Sequence, residues 1–157
     1  MRSTRDDADR SDVLFPLTEV VALLRELEQA LATGLSVALS EENTTLDQSR
    51  VLAAIAGLEN PTMGEIAVAT GMANASLSRI VDGLEDAAHA YRVPDVTDRR
   101  RVTVRLTDRG QSLLGRVSTI AADWERATEC RLGPGATAAL REGVAAAAEA
   151  LRLPPGQ

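Results

Sequence analysis

The 157-residue chain is long enough for one domain with its own hydrophobic core and too short for two of ordinary size. Its 45% hydrophobic content comes mostly from Ala, Leu and Val, which favours helices, because one Trp, one Tyr and one Phe are the only aromatic residues. One Cys and one His are too few for an internal disulfide or a structural zinc site. A formal net charge of -6 argues, taken alone, against a nucleic-acid ligand.

The content of Ala, Leu and Val predicts a mainly α protein. We expect it in the cytoplasm, with no membrane contact. No nucleophile with a base, metal cluster or glycine-rich phosphate loop can be assembled from this sequence, so we expect neither catalysis nor a cofactor. Residues 1–14 are charged and lack periodicity, and we expect them to form a disordered arm. They contain no secretory signal pattern, and no apolar run has the length of a bilayer span.

The first predicted helix runs from about Pro16 to about Leu39, because apolar residues recur there at steps of three and four. This apolar stripe is longer than the part of a helix that the core of one small domain can cover. Two explanations stay open, a seam with a second subunit and packing beneath the rest of the same domain. A second helix is predicted from about Asp47 to Leu58, since Thr45 and Gln48 fit a capping box.

Two shorter helices are predicted around a Gly-Met turn. Thr62 and Glu65 fit another capping box for the third helix, which Gly71 can end by adopting a positive φ. Asn74 is then predicted to cap a fourth helix with one apolar face. Its outer face carries small polar groups and one arginine, a surface that can approach the edges of bases. The candidate contact residues on this helix are Asn74, Ala75, Ser76, Ser78 and Arg79.

A hairpin with arginines at its tip is predicted next. Residues 101–106 alternate polar and apolar side chains, which predicts a strand whose Arg and Thr side chains point to solvent. Residues 90–93 are the natural antiparallel partner. The loop between the strands carries four more candidate contact residues: Asp98, Arg99, Arg100 and Arg101. We expect Arg99 or Arg100 to pair with Asp98 while another guanidinium reaches the minor groove or a phosphate.

The hairpin lies in a locally basic stretch. Seven arginines fall between Ala88 and Arg116, against three aspartates. The local field matters more than net charge for steering a ligand, so a basic patch on an acidic body is compatible with nucleic-acid binding. Helix, turn, helix and hairpin follow one another as in a winged helix-turn-helix, in which one helix enters the major groove of duplex DNA.

Two further helices are predicted at the C-terminal end. Thr107 or Asp108 can cap a long helix, which residues 133–135 end with the sequence Gly-Pro-Gly. A last helix precedes the two prolines at 154 and 155.

The chain contains one tryptophan, one cysteine and one histidine. Trp124 is expected in the core or in a subunit interface, because large aromatics dominate such packing, and an effector-binding platform is the alternative. The lone Cys130 is expected to be a small buried hydrophobe, with a redox-sensing thiol as the alternative. His89 is expected to be exposed or to help cap helix carbonyls, with pH sensing or effector binding as the alternative.

Several strings in this order resemble the MarR family, the multiple-antibiotic-resistance regulators, over roughly Leu17 to Leu151. Thr45-Leu46-Asp47-Gln48 resembles the family's Leu-Thr-x-x-Gln helix opening, and Glu65-Ile66-Ala67 resembles its Glu-Leu-Ala helix. Residues 76–85 resemble Thr-Val-Thr-Arg-Leu-Val-Asp-Arg-Leu-Glu. Residues 98–100 and 104–110 resemble the wing signature and the helix opening after it.

The resemblance implies one MarR-like domain over residues 1–157, with a winged helix-turn-helix at 45–106 and dimerisation helices at 15–42 and 107–153. It implies a homodimer that binds pseudo-palindromic double-stranded operator DNA and usually represses. It further implies release from DNA by a small apolar or phenolic effector, or in other members by cysteine oxidation. The alternative is a helical dimer with weakened DNA binding that acts through protein partners, as the acidic balance would allow.

The chain departs from the family pattern where the first strand begins. Residues 88–92 read Ala-His-Ala-Tyr-Arg in place of the usual Gly-Leu-Val-x-Arg, so we expect either a longer fourth helix or a poorly formed first strand. Asn74 and Gly83 stand where arginine is common, which removes two expected phosphate contacts. Gly83 also weakens a helix interior by about 1 kcal/mol relative to Ala.

Overall fold

A computed structural model describes residues 16–94 and 101–152 of the chain. These residues form six α-helices, one short 3-10 turn and a two-stranded sheet. In chain order the elements are α1 (Pro16–Leu39), the 3-10 turn (Ser40–Glu42), α2 (Leu46–Gly57), α3 (Met63–Thr70), α4 (Asn74–Asp86), β1 (Ala90–Pro94), β2 (Val102–Leu106), α5 (Asp108–Leu132) and α6 (Pro134–Arg152). The mainly α winged helix-turn-helix predicted from the sequence is confirmed. The predicted arm at 1–14 and the predicted contacts Asp98, Arg99 and Arg100 lie outside the described residues.

Hydroxyl side chains fix where three of the helices begin. Thr45 and Gln48 form a reciprocal capping box at α2, with the Gln48 N–H 3.1 Å from Thr45 Oγ1 and the Thr45 N–H 2.9 Å from Gln48 Oε1. Thr62 and Glu65 form the same arrangement at α3. Thr107, the first of the two predicted caps, accepts the Gly110 N–H at the start of α5.

The predicted cap of α4 is wrong. Ala73 occupies the N-cap position in an extended conformation, and Asn74 is the first helical residue. Ala73 has no side-chain oxygen, so the N-cap side chain accepts no hydrogen bond from the first N–H groups of α4. The helix nevertheless continues without a break through Gly83 to Asp86.

The two strands pair antiparallel, from Ala90 opposite Leu106 to Pro94 opposite Val102. β2 has a second neighbour, because the Val104 N–H donates to the Pro61 carbonyl at 2.8 Å and Thr62 forms an isolated bridge with Thr103. Thr103 and Val104 are both fully buried although neighbouring strand residues face opposite sides, so both faces of β2 are covered here. The prediction that Thr103 points to solvent is therefore wrong, and Arg105 is half-buried.

Helix α4 and strand β1 are joined by a Schellman motif with an unusual residue. The Ala88 N–H donates to the Glu85 carbonyl and the His89 N–H to the Leu84 carbonyl, both at 2.8 Å. Ala88 takes the left-handed conformation, with φ of 56°, that glycine ordinarily supplies. The fourth helix is thus not prolonged and β1 is formed, so both expectations for this departure are wrong.

The hydrophobic core lies in the helix-turn-helix lobe and extends to the adjoining ends of α1 and α5. Its buried members are Leu39, Val51, Leu52, Ile55, Ile66, Leu77, Val81, Leu84, Ala90, Val104, Leu113 and Val117. The far ends of the long helices are different, since Leu17 is 75% exposed in α1 and Leu151 is 88% exposed in α6.

Candidate nucleic-acid interface

The outer face of α4 presents the predicted contact residues to solvent. Its inner face is anchored by Leu77, Val81 and Leu84, which are buried in the core. Asn74, Ala75, Ser76 and Arg79 are exposed, and Ser78 is half-buried. The exposed side chains lie in the first half of the helix, so one arginine and two short polar groups project near its N-terminal end. Such a surface can donate and accept hydrogen bonds at base edges.

An arginine on β1 joins the hairpin to the second half of α4. The Arg92 guanidinium binds Glu85 through Nη1 and lies 2.9 Å from Asp82 Oδ1 through the same nitrogen. The Arg92 backbone N–H also donates to Glu85 at 2.7 Å. Arg92 therefore holds strand and helix together, and its charge is matched by two carboxylates.

Glu65 makes a contact that the sequence analysis does not predict. Besides forming the capping box of α3, its carboxylate pairs with Arg101, with Arg101 Nη2 at 2.6 Å from Oε1 and 2.7 Å from Oε2. The backbone N–H of Thr62, the Arg101 guanidinium and the Thr62 hydroxyl together lower the pKa of Glu65 from 4.5 to about 2. The partner lies 36 residues along the chain, so no local pattern could have identified it.

The predicted basic patch is less basic than its sequence suggests. Arg92 and Arg101 are in the ion pairs just described, and Arg116 Nε lies 2.9 Å from Glu42 Oε2. Arg105 is half-buried, and its Nε is enclosed without a hydrogen-bond partner among the described residues. Three of the five described arginines in this stretch thus contact carboxylates, which reduces the positive field available to a ligand.

His89 lies half-buried where the α4–β1 turn meets α5. Burial, with Arg109 and Arg116 nearby, lowers the pKa of its imidazole. Its carbonyl accepts the Thr107 N–H at 3.0 Å, and a Cβ added to Gly110 would lie 1.9 Å from that carbonyl oxygen. His89 does help to end α4, but it does so through its backbone N–H.

A groove of about 670 Å³ lies between α1, α6, the start of α2 and the second half of α5. Its lining is mainly aliphatic, with Trp124 the aromatic member and Arg50, Arg141 and Glu28 as charged members. Trp124 also packs against Gly34 of α1, where an added Cβ would lie 2.9 Å from the indole Nε1. Cys130 lies outside this groove and is exposed, so the prediction of a buried thiol is wrong for the single chain.

Two observations concern membrane-spanning helices and metal sites. Among residues 16–94 and 101–152, none of the helices combines the length and the hydropathy needed to cross a bilayer. The same residues contain no group of three or more His, Cys, Asp or Glu side chains placed to hold a metal ion.

Residues 43–101 match the sequence model of the MarR family. No curated protein matches the chain significantly in sequence. Among solved structures, the transcriptional repressor CouR bound to a 23-mer DNA duplex is 24% identical, with a TM-score of 0.77 over 84% of this chain and 94% of CouR. A mutant of MarR from E. coli complexed with operator DNA is 22% identical, with a TM-score of 0.77 over 87% of this chain and 99% of MarR.

A third structure concerns regulation of DNA binding by 6-hydroxynicotinic acid in BpsR from Bordetella bronchiseptica. It is 22% identical to this chain, with a TM-score of 0.74 over 83% of this chain and 98% of BpsR. At these identities the similarity establishes a shared fold.

Proposed function

We propose that this chain, in which residues 43–101 match the sequence model of the MarR family, is a sequence-specific DNA-binding transcription regulator that acts as a homodimer and represses its target. The observation that carries the proposal is the exposed face of α4. The helix is held in the core by its apolar side while Ser76 and Arg79 project from the other. The family consists of transcription regulators, which are not enzymes.

In the proposed complex, α4 enters the major groove and the hairpin reaches the adjacent groove or the backbone. Arg79 is suited to bidentate contact with guanine, and the hydroxyls of Ser76 and Ser78 can donate or accept at base edges. Asn74 and Ala75 lie at the start of the helix, where the chain can approach the DNA closely. Asp98, Arg99, Arg100 and Arg101 complete the proposed interface from the hairpin, and the first three of them lie outside the described residues.

The homodimer rests on the apolar side chains that the single chain leaves exposed. Residues 15–42 and 107–153 are the proposed dimerisation helices, around a winged helix-turn-helix at 45–106. Within them, Leu17 and Leu151 are mostly exposed, and Val20, Leu24 and Val144 are each more than 40% exposed. Side chains of this kind, exposed along two helices, favour burial against a second copy.

Two arginine variants test the proposed roles. Arg79→Ala should weaken binding to operator DNA by about 1–3 kcal/mol and relax discrimination, because a base contact is lost. Arg100→Ala should weaken binding to operator and random duplex alike and reduce the slope of log affinity against log salt by about one. Arg50→Ala, an exposed arginine of α2 outside the proposed DNA contacts and dimerisation helices, is the control and should leave both affinities unchanged.

The measurement is fluorescence anisotropy on both duplexes over a salt series. Equal losses on operator and random DNA for Arg79→Ala would show that this residue touches only the backbone. Absence of DNA binding by the wild-type protein would reject the proposed function and favour a dimer that works through protein partners.

The proposed effector is a small apolar or phenolic molecule in the groove of about 670 Å³. The mainly aliphatic lining, with Trp124 for stacking, favours modest affinity driven by apolar burial. A coupling of about 1–3 kcal/mol would lower operator affinity severalfold to about a hundredfold. Titration of phenolic acids and hydrophobic drugs against the protein–operator complex tests this. If only an oxidant releases DNA, and Cys130→Ser abolishes that response, a thiol is the trigger instead.

A further inference from the structure

A second, smaller cavity of about 260 Å³ lies where the α4–β1 turn meets the N-terminal part of α5. Its lining residues are different from those of the aliphatic groove between α1 and α6. The volume is below that of a typical pocket for a drug-sized molecule, so the cavity suits a small ion or one charged group of a larger ligand. Basic side chains outnumber acidic ones in the lining, which consists of His89, Arg109, Arg116, Asp108 and Ser112.

The hydrogen-bond donors of this cavity come from two elements that are fixed against each other. Arg109, Ser112 and Arg116 follow one another at steps of three and four along α5, the spacing that brings side chains onto one face of a helix. His89 faces them from the α4–β1 turn, and its carbonyl accepts the Thr107 N–H at 3.0 Å. The fold therefore brings two guanidiniums, one imidazole and one hydroxyl to the same small space.

The charges around the cavity are nearly balanced while His89 is neutral. Burial, with the positive charges of Arg109 and Arg116, lowers the pKa of the imidazole. Two carboxylates offset the two guanidiniums: Asp108 lines the cavity, and Glu42 of the 3-10 turn has its Oε2 2.9 Å from Arg116 Nε. Protonation of His89 would make the group of five side chains positive by one charge.

We propose that this cavity binds a small oxyanion, a carboxylate or a phosphate, between Arg109, Arg116 and His89. A guanidinium can donate two parallel hydrogen bonds to either kind of group, and the Ser112 hydroxyl can donate another. The bound anion offsets the positive charges beside the imidazole, so binding favours the uptake of one proton from solvent by His89. This site is separate from the exposed face of α4 and from the aliphatic groove, and it does not depend on the proposed DNA binding.

The single histidine of the chain makes the site directly observable by NMR in untagged protein. The His89 Hε1 signal is followed against pH while sodium phosphate, sodium benzoate or sodium chloride is titrated through the millimolar range at matched ionic strength. We expect phosphate or benzoate to move the signal saturably and to raise the pKa of His89 above its value in chloride. A response to one probe alone assigns the ligand to the phosphates or to the carboxylates.

Four variants locate the bound anion. Arg109→Gln and Arg116→Gln each remove one guanidinium and should weaken binding of the probe about 5-fold or more. Glu42→Gln removes the carboxylate that competes for Arg116 and should strengthen binding about 2- to 5-fold. Arg79→Gln, on the outer face of α4, should leave the response of His89 to the probe unchanged although it weakens DNA binding.

Three results would overturn the proposal. Equal movement of the His89 signal in chloride and in both probes would mean that the ions only screen the charges around the imidazole. Unchanged binding by both Arg109→Gln and Arg116→Gln would place the anion elsewhere on the protein. Loss of the response in Arg79→Gln would assign it to the proposed DNA-binding face. Binding of wild-type protein to operator DNA is measured separately, so failure of the anion site and failure of the proposed function are distinguishable.

Discussion

At the scale of single residues, Ala88 carries a backbone conformation that its side chain disfavours. A left-handed residue other than glycine costs about 1–2 kcal/mol. Ala88→Gly should therefore raise the free energy of unfolding by about 1 kcal/mol, after allowing for the greater freedom of glycine in the unfolded chain. Urea denaturation measures the change.

The neighbouring Ala87 supplies the matched control. It has φ of -81°, which alanine adopts without strain. Ala87→Gly should leave stability unchanged or lower it. Equal effects of the two substitutions would mean that the left-handed turn is not a source of strain.

Gly110 has an unstrained helical backbone, and what limits this position is the space available for a side chain. An added Cβ would lie 1.9 Å from the backbone carbonyl oxygen of His89. A Cβ is bonded directly to the backbone, so rotation of a side chain cannot relieve this contact. Gly110→Ala should lower the free energy of unfolding by about 1–3 kcal/mol, since α5 would have to move away from the α4–β1 turn.

Gly115 tests whether this cost is specific to position 110. It lies five residues further along α5, is exposed and has nothing near an added Cβ. Gly115→Ala should stabilise the protein by about 0.5–1 kcal/mol through helix propensity alone. A similar gain for Gly110→Ala would show that the close contact with His89 relaxes at no cost.

At the scale of elements, the cap of α3 makes stability depend on pH. The folded-state pKa of Glu65 is lowered from 4.5 to about 2, so its contribution is complete above pH 4.5 and is lost as the pH falls toward 2. The wild type should therefore lose more stability between pH 4.5 and 2 than Glu65→Gln does. Denaturation of both proteins across this range gives the difference directly.

Glu59→Gln, which removes an exposed carboxylate from the loop before α3, controls for the loss of one negative charge. Parallel curves for the wild type and Glu65→Gln would show that the carboxylate of Glu65 gains nothing from folding. Because the group is exposed, the expected effect is a difference in slope and not a collapse of the fold.

The helices could be predicted closely because their signals are local. α1 has the predicted bounds, and the capping boxes at Thr45 and Thr62 mark the starts of α2 and α3. The positive φ of Gly71 likewise follows from a local turn pattern. The alternation of polar and apolar residues predicted burial in β2 less well. Thr103 is buried by the segment around Thr62, which precedes it by about forty residues in the chain.

The charged contacts of the candidate site could be predicted only in part. The exposure of Arg79 follows from the apolar face of α4, which a helical period reveals. The ion pairs of Arg92, Arg101 and Arg116 join separate elements. The sequence therefore shows the charged residues but not which of them form pairs. The predicted basic patch was overestimated for this reason. The exposure of Cys130 also depends on how α5 meets α6, which no local pattern determines.

At the scale of the whole molecule, the apolar surface is distributed unevenly. The winged helix-turn-helix lobe contains nine of the twelve buried core residues described, whereas the distant ends of α1 and α6 expose leucine and valine. A regulator built on this plan would bury those ends between two copies and carry one α4 on each side. Two recognition helices related by a two-fold axis would read an inverted repeat.

Nuclease footprinting of the intergenic DNA beside the protein's own gene, at low salt, tests this account most directly. A two-fold dimer should protect an inverted repeat whose half-sites are roughly 10 bp apart, centre to centre, because two copies of α4 would occupy successive major grooves on one face of the duplex. The Arg79→Ala protein should lose this protection at concentrations that protect the site for the wild type. Uniform coverage without discrete boundaries, or no protection at all, would contradict sequence-specific binding by α4.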